Sequence, residues 1–193
     1  MKRTIYLSMV CLLSAFSAVG QTGSRGLNPI EKQKLQLPEL PASQSRVTLL
    51  RSSENVDYTQ GVFILNEDWF GHNNSTINFM TSSGDFAYKI FQTANPGKEL
   101  GCTSQFGTIF GDNMFITSKQ PKDGGASIEG GRLNVVDAKT MKVKAQFTDI
   151  GGGDGRAFLG VNDSVGYIGA SNGIFLFDIK NLTVGDQLKG ASN

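Results

Sequence analysis

From Gly61 onward a phrase of four short apolar runs returns about every 51 residues, and this repeat constrains the fold more than any other feature of the chain. Gly61–Asn66, Met114–Ser118 and Val165–Gly169 are apolar runs that begin 51 to 53 residues apart. Gln105–Phe110 and Ala157–Val161 precede the second and third of these, 52 residues apart, across the polar turns Gly111-Asp112-Asn113 and Asn162-Asp163-Ser164. A third type of run comprises Thr76–Met80, Arg132–Asp137 and Gly173–Asp178. After the short turns Ser82–Asp85, Lys139–Met141 and Lys180–Leu182, a fourth type spans Phe86–Phe91, Lys142–Phe147 and Thr183–Leu188. Runs of four to eight residues bounded by turn chemistry read as strands. Four strands in a meander, repeated at a period of 40 to 50 residues, are the signature of β-propeller blades. A β-sandwich also has short strands and regular turns, but it does not require one phrase to recur in register. Here Asn134–Val143 aligns without a gap on Phe175–Val184. The expected fold is therefore all-β, a β-propeller of four-stranded antiparallel blades, with about three blades between residues 56 and 193.

Composition agrees. Glycine fills 24 of 193 positions, against a usual share of ~7%, and no convincing helical period appears beyond the leader. Hydrophobic residues at 39% and charged residues at 18% describe a chain that folds. The net charge of +1 gives no electrostatic footprint for nucleic acid.

The N-terminus has the three parts of a secretory signal peptide. Lys2 and Arg3 precede the apolar stretch Ile5–Val19, and Ala18-Val19-Gly20 places small residues for cleavage between Gly20 and Gln21. Residues 1–20 are thus expected to direct export to the periplasm, the cell surface or the medium, leaving no transmembrane segment in the mature chain. Cys11 lies inside the apolar run behind Ser8-Met9-Val10, which does not fit a lipoprotein signal. Cleavage would leave Cys102 as the sole cysteine, so stability would come from packing and not from a disulfide. Residues 21–55 read as a linker or draped arm, with one strand candidate at Arg46–Arg51.

In a four-strand meander the first-to-second and third-to-fourth connections share one side, and the remaining connections share the other. Sorted this way, the first side receives only tight turns. The second receives Glu67–Ser75, Thr93–Ser104, Lys119–Gly131 and Asp149–Arg156, together with the chemically rarer residues. Long loops on a rigid scaffold are where binding concentrates. The candidate ligand-binding residues are Trp69, His72, Asn73, Gln105, Lys119, Gln120 and Arg156. Trp69 serves as an aromatic platform or as seam packing. Cys102 reads as a buried small hydrophobe, because a nucleophile needs a neighbouring His and the single His lies 30 residues away. One His and so few Cys leave no zinc-type spacing, and no metal or cofactor is expected. Gly151–Arg156 is glycine-rich but runs into a strand and lacks the Lys-Ser/Thr ending of a phosphate loop. Asn74-Ser75-Thr76 and Asn181-Leu182-Thr183 match the glycosylation sequon.

The succession VVDAKTMKV, a Gly-rich loop, an apolar strand, the turn NDS and a further apolar strand resembles the YncE-like, surface-layer-type β-propellers. The opening GVFILNEDWFGHNNSTINF is similar to the first blade of exported propellers of gut-type Gram-negative bacteria, the cobalamin-binding BtuG group among them. The resemblance covers roughly Val56 to Leu188. It implies a ring of about seven blades, of which this chain would be an N-terminal part, and an exported non-enzymatic binding module. Such a module captures a small molecule, a glycan or a surface protein, with a cobalamin-type ligand and an outer-membrane transporter as the concrete instance. A lactonase-like propeller hydrolase or lyase, its metal site completed by further blades, and a structural surface-layer protein are the alternatives.

Overall fold

The computed structural model describes residues 56–68 and 72–191. The signal peptide, the linker with its strand candidate at 46–51, and Trp69 lie outside the described residues. Among the described residues eleven strands and one short helix follow in chain order. The strands are β1 (Gly61–Asn66), β2 (Thr76–Thr81), β3 (Phe86–Ala87), β4 (Cys102–Phe110), β5 (Asn113–Gln120) and β6 (Leu133–Asp137). They continue with β7 (Val143–Phe147), β8 (Gly155–Gly160), β9 (Val165–Ala170), β10 (Gly173–Asp178) and β11 (Thr183–Gln187). The helix, α1, is Ile90–Ala94. The strands form three antiparallel meanders, β1-β2-β3, β4-β5-β6-β7 and β8-β9-β10-β11, so the described residues are all-β with almost no helix. Among the described residues no helix is long and apolar enough to cross a membrane.

Period-two alternation explains the stacking. On β5, Met114 and Ile116 face the first sheet and join Ile77 and Phe79 in one core cluster. Phe115, between them, faces the third sheet and packs with Phe158, Ile168 and Phe177 in a second cluster. The middle sheet is thereby buried on both faces: Phe115, Ile116, Leu133, Val135 and Val136 are wholly buried. Its ring stack is close, with Phe115 and Phe158 centroids 3.7 Å apart at 5° and Phe177 edge-on to both. Gly155 opens β8 where a Cβ would lie 2.6 Å from the Ser118 carbonyl oxygen and 2.7 Å from that of Arg132, so only glycine lets β8 begin against the middle sheet.

The turns follow their residues. In the β6–β7 turn Asp137 Oδ1 accepts from the backbone of Lys139 and Thr140 and from Thr140 Oγ1. Asp178 Oδ1 accepts the Asn181 backbone N–H in the equivalent β10–β11 turn. These Asp-anchored turns hold Met141 (φ 59) and Leu182 (φ 51) in the left-handed region that L-residues otherwise avoid.

Two expectations need correction. The run Phe86–Phe91 is not one strand: β3 stops at Ala87 and Ile90–Ala94 is helical. Lys89 takes a left-handed conformation (φ 50, ψ 44), with its N–H donated to Asn78 Oδ1, and this turns Ile90 and Phe91 into the first core. Burial of two large apolar groups prevails over the β-propensity of the run. The second concerns Thr93–Ser104. Asn95 lies beside the start of β7, donating to the Met141 carbonyl and accepting from Val143 N–H, and Cys102–Ser104 already belongs to β4. The stretch Gly101–Ser104 is what reaches the long loops, through Ser75 and Asp123.

Candidate functional site

The long connections gather on one side of the stack because they bond to one another. Asn74 is 5% exposed and bridges two loops, its Nδ2 donating to the Ile128 carbonyl and its Oδ1 accepting from Asp123 N–H. Both ends of the Asn74 amide are thus committed to holding the two loops together. Ser75 is wholly buried; its N–H reaches the Gly101 carbonyl, and its Oγ donates to the Glu67 carbonyl and accepts from Ser104 N–H. Ser104 and Ser118 pair at 2.6 Å across β4 and β5. The Cys102 thiol donates to Asp123 Oδ2 at 3.2 Å, and both residues are 1% exposed. Burial pushes the Cys102 thiol above its ordinary value, and the Asp123 carboxylate adds to the rise. Cys102 is therefore a packed, inert thiol, as its sequence context implied. Neutral and charge-assisted bonds of this density make a rigid platform from segments that are irregular in sequence.

Over this platform opens a polar cleft of about 540 Å³. The β1–β2 loop contributes Asp68, Asn73 and Asn74; α1 and its start contribute Gln92 and Lys89; Glu99 comes from the crossing, and Gly125–Ile128 from the β5–β6 loop. Gln92 Nε2 donates to the Ser75 carbonyl and to Glu99 Oε2 at 2.8 Å. Both partners are acceptors, which fixes the orientation of the amide. Its Oε1 is buried and has no partner among the described residues. A buried acceptor without a donor is costly.

Of the residues singled out by sequence, Asn73 lines the cleft and His72 is exposed beside it. Gln105 and Arg156 form a second group. Each is the unpaired residue of a β-bulge on the first strand of its sheet: β4 between Ser104 and Phe106, β8 between Gly155 and Ala157. They stand 51 residues apart, the repeat length, and both are exposed. Bulges re-aim side chains in this way. Gln105 Nε2 donates to Glu67 Oε1 at 2.7 Å, and Arg156 pairs with Asp154 at 3.4 Å. Lys119 and Gln120 end β5 as strand residues instead of opening the loop; Gln120 is exposed and Lys119 partly so. Neither lines the cleft. Sequence reasoning missed Lys89, Gln92, Glu99 and Ser127, because Lys89 lay in a run read as strand and the others carried no motif. The glycine-rich crossing is a tight passage into β8: Asp149 Oδ1 accepts Gly152 N–H, and the Gly151 carbonyl accepts from Asn172. Among the described residues no three His, Cys, Asp or Glu side chains are placed to hold a metal.

No curated protein matches this chain. A family model does match, over residues 60–193 and thus every strand described above. Since that match covers more than half of the sequence, the chain belongs to the family described as a domain of unknown function, DUF5074.

Proposed function

We propose that the chain is an exported, non-enzymatic binding module, its sheets the blades of a YncE-like β-propeller and its long-loop side the capture surface. The observation that carries this reading is the polar cleft over the hydrogen-bonded loops, with Asp68, Asn73, Gln92 and Glu99 in its walls. The lining mixes amides, hydroxyls, the carboxylates of Asp68 and Glu99 and the Lys89 ammonium, with no dominant charge. Such a set suits a ligand that both donates and accepts repeatedly, the chemistry of a glycan. Trp69, one residue beyond Asp68 in sequence, would supply the ring on which a sugar face packs. Export rests on the N-terminal leader, and a cobalamin-type ligand rests on the family resemblance alone.

The test is thermal stabilisation of the purified protein by a panel of neutral and acidic oligosaccharides, with cyanocobalamin and divalent cations as competing probes. A saturating binder of the folded state at 100 times its Kd stabilises by about 2.7 kcal/mol, which a melting curve resolves readily. Stabilisation by an oligosaccharide, abolished in Asn73→Ala and Trp69→Ala, is the expected result. A response to cobalamin or to metal alone would overturn the glycan reading.

A further inference from the structure

We infer that Ala126–Glu129 is a strap that opens and closes over the cleft, and that the Asn74 side chain is the latch that holds it shut. Its part in ligand entry rests on the capture reading of the cleft; the opening itself does not.

The strap belongs to the β5–β6 loop, whose base is fixed and whose tip is not. At the base, Gly130 N–H donates to the Pro121 carbonyl at 2.8 Å and closes the loop. Gly130 is pressed so closely on the neighbouring crossing that a Cβ there would lie 2.1 Å from the Leu100 carbonyl oxygen. Asp123 is 1% exposed and accepts the Cys102 thiol on one oxygen and Gly125 N–H on the other. Its own N–H goes to Asn74 Oδ1 at 3.0 Å. The tip differs. Ser127 and Glu129 are exposed, and neither makes a hydrogen bond or an ion pair among the described residues. The Ile128 side chain is 38% exposed, so packing adds little to hold it. Beyond the Asp123–Ala126 turn, one bond ties the tip to other described residues: Asn74 Nδ2 donates to the Ile128 carbonyl at 2.8 Å.

The tip forms a wall of the cleft through Gly125–Ile128, so its displacement widens the mouth. The turn on which it swings, Asp123–Ala126, has glycine at both central positions. Nothing lies within 4 Å of where a Cβ on Gly124 would sit, so this glycine answers no steric demand and supplies backbone freedom instead. Segments with few buried contacts and exposed backbone open locally at a free energy far below that of global unfolding. The two ends of one amide thus divide the work. Asn74 Oδ1 pins the base, Nδ2 latches the tip, and only the second bond must break for the cleft to open.

The opening is tested on ligand-free protein, expressed as the full chain, with a Glu-specific protease, because a native loop is cut only when several of its residues open. Asn74→Asp keeps an acceptor for Asp123 N–H and removes the donor to Ile128. Cleavage after Glu129 should rise at least fivefold in this variant. Cleavage after Glu99, which is bonded to Gln92, and labelling of the Cys102 thiol should stay within twofold of wild type. Gly124→Ala stiffens the hinge without meeting a neighbour and should slow cleavage after Glu129 at least twofold. An unchanged rate after Glu129 in Asn74→Asp would overturn the latch. If Asn74→Asp exposes Cys102 as well, the base has loosened and Gly124→Ala decides: a rate within twofold of wild type then overturns the strap. Gly124 lies outside the cleft lining, so the same variant reports on entry. Stopped-flow mixing with the best-stabilising oligosaccharide should show association at least twofold slower in Gly124→Ala. Unchanged association beside slowed cleavage would overturn the gating role. If no oligosaccharide stabilises the protein, the capture reading falls and the protease result alone decides the strap.

Discussion

Phe115→Ala tests the stacking of the second and third sheets at its centre. Phe115 is wholly buried, stacked on Phe158 at 3.7 Å and edge-on to Phe177 at 5.9 Å. Truncating a buried Phe costs about 3–5 kcal/mol, the transfer of its ring plus the cavity left behind. Both neighbours are rings wedged between paired strands, so the site can collapse little and the upper half of that range is expected. At roughly 3–5 °C per kcal/mol for a domain of this size, the melting temperature should fall by about 12–25 °C. A double-mutant cycle with Phe158→Ala should show a coupling of about 0.5–1.5 kcal/mol beyond area burial, the usual worth of an aromatic pair. Phe86→Ala is the control: that ring is partly exposed and touches the exposed Tyr88 at 4.6 Å, so the loss should stay near or below about 1 kcal/mol. Chemical denaturation with fluorescence and circular dichroism supplies all four values. A cost below about 1.5 kcal/mol for Phe115→Ala, or no coupling to Phe158, would refute the face-to-face packing of these sheets.

Other outcomes follow from single groups. Cys102, with its thiol raised by burial, should resist a disulfide reagent at pH 8 in native protein and react only as fast as the domain opens, as peptide mapping by mass spectrometry would show; rapid native labelling would contradict its burial. The Asn181 backbone N–H, followed by its side-chain amide, holds the Asp178 carboxyl below the usual carboxylate range. Burial pushes Asp137 upward, but bonds from Lys144, Thr140 and Lys139 more than offset it and leave that carboxyl lowered as well. A folded-state value below the unfolded one means that this stabilisation is whole above the unfolded pKa, about 4, and is lost as pH falls through the folded value. Melting temperatures should therefore be insensitive to these groups from pH 7 to 5 and decline below about 4, with a shallower acid limb in Asp178→Asn; an unchanged limb would contradict the turn assignment.

The repeat was the most legible part of the chain. It rests on apolar runs separated by Asp, Asn and Gly turns, and each such run became a strand within one to three residues of its expected bounds. What failed was Phe86–Phe91, where a local β-pattern was overridden by a tertiary demand: Ile90 and Phe91 reach the first core only if Lys89 turns left-handed. That misreading hid Lys89 from the site, and with it the helix that carries Gln92. Asn73 was found because it sits in a long loop between rare residues, whereas Glu99 and Ser127 meet Gln92 through folding alone and carry no local signal. Gln105 and Arg156 show an intermediate case: their 51-residue separation was visible, but the bulges that expose them depend on pairing register.

The most direct measurement of the binding proposal is calorimetric titration of the best-stabilising oligosaccharide into wild-type protein and two substituted sets. The cleft set is Asn73→Ala and Lys89→Gln; the turn set is Asn113→Ala and Lys139→Ala, on the side that carries only tight turns. Loss of one or two direct hydrogen bonds should weaken binding about tenfold or more in the cleft set, or ~1.4 kcal/mol. Binding by the turn set should stay within about twofold of wild type. Equal effects from the two sets, or an effect confined to the turn set, would contradict assignment of capture to the long-loop side.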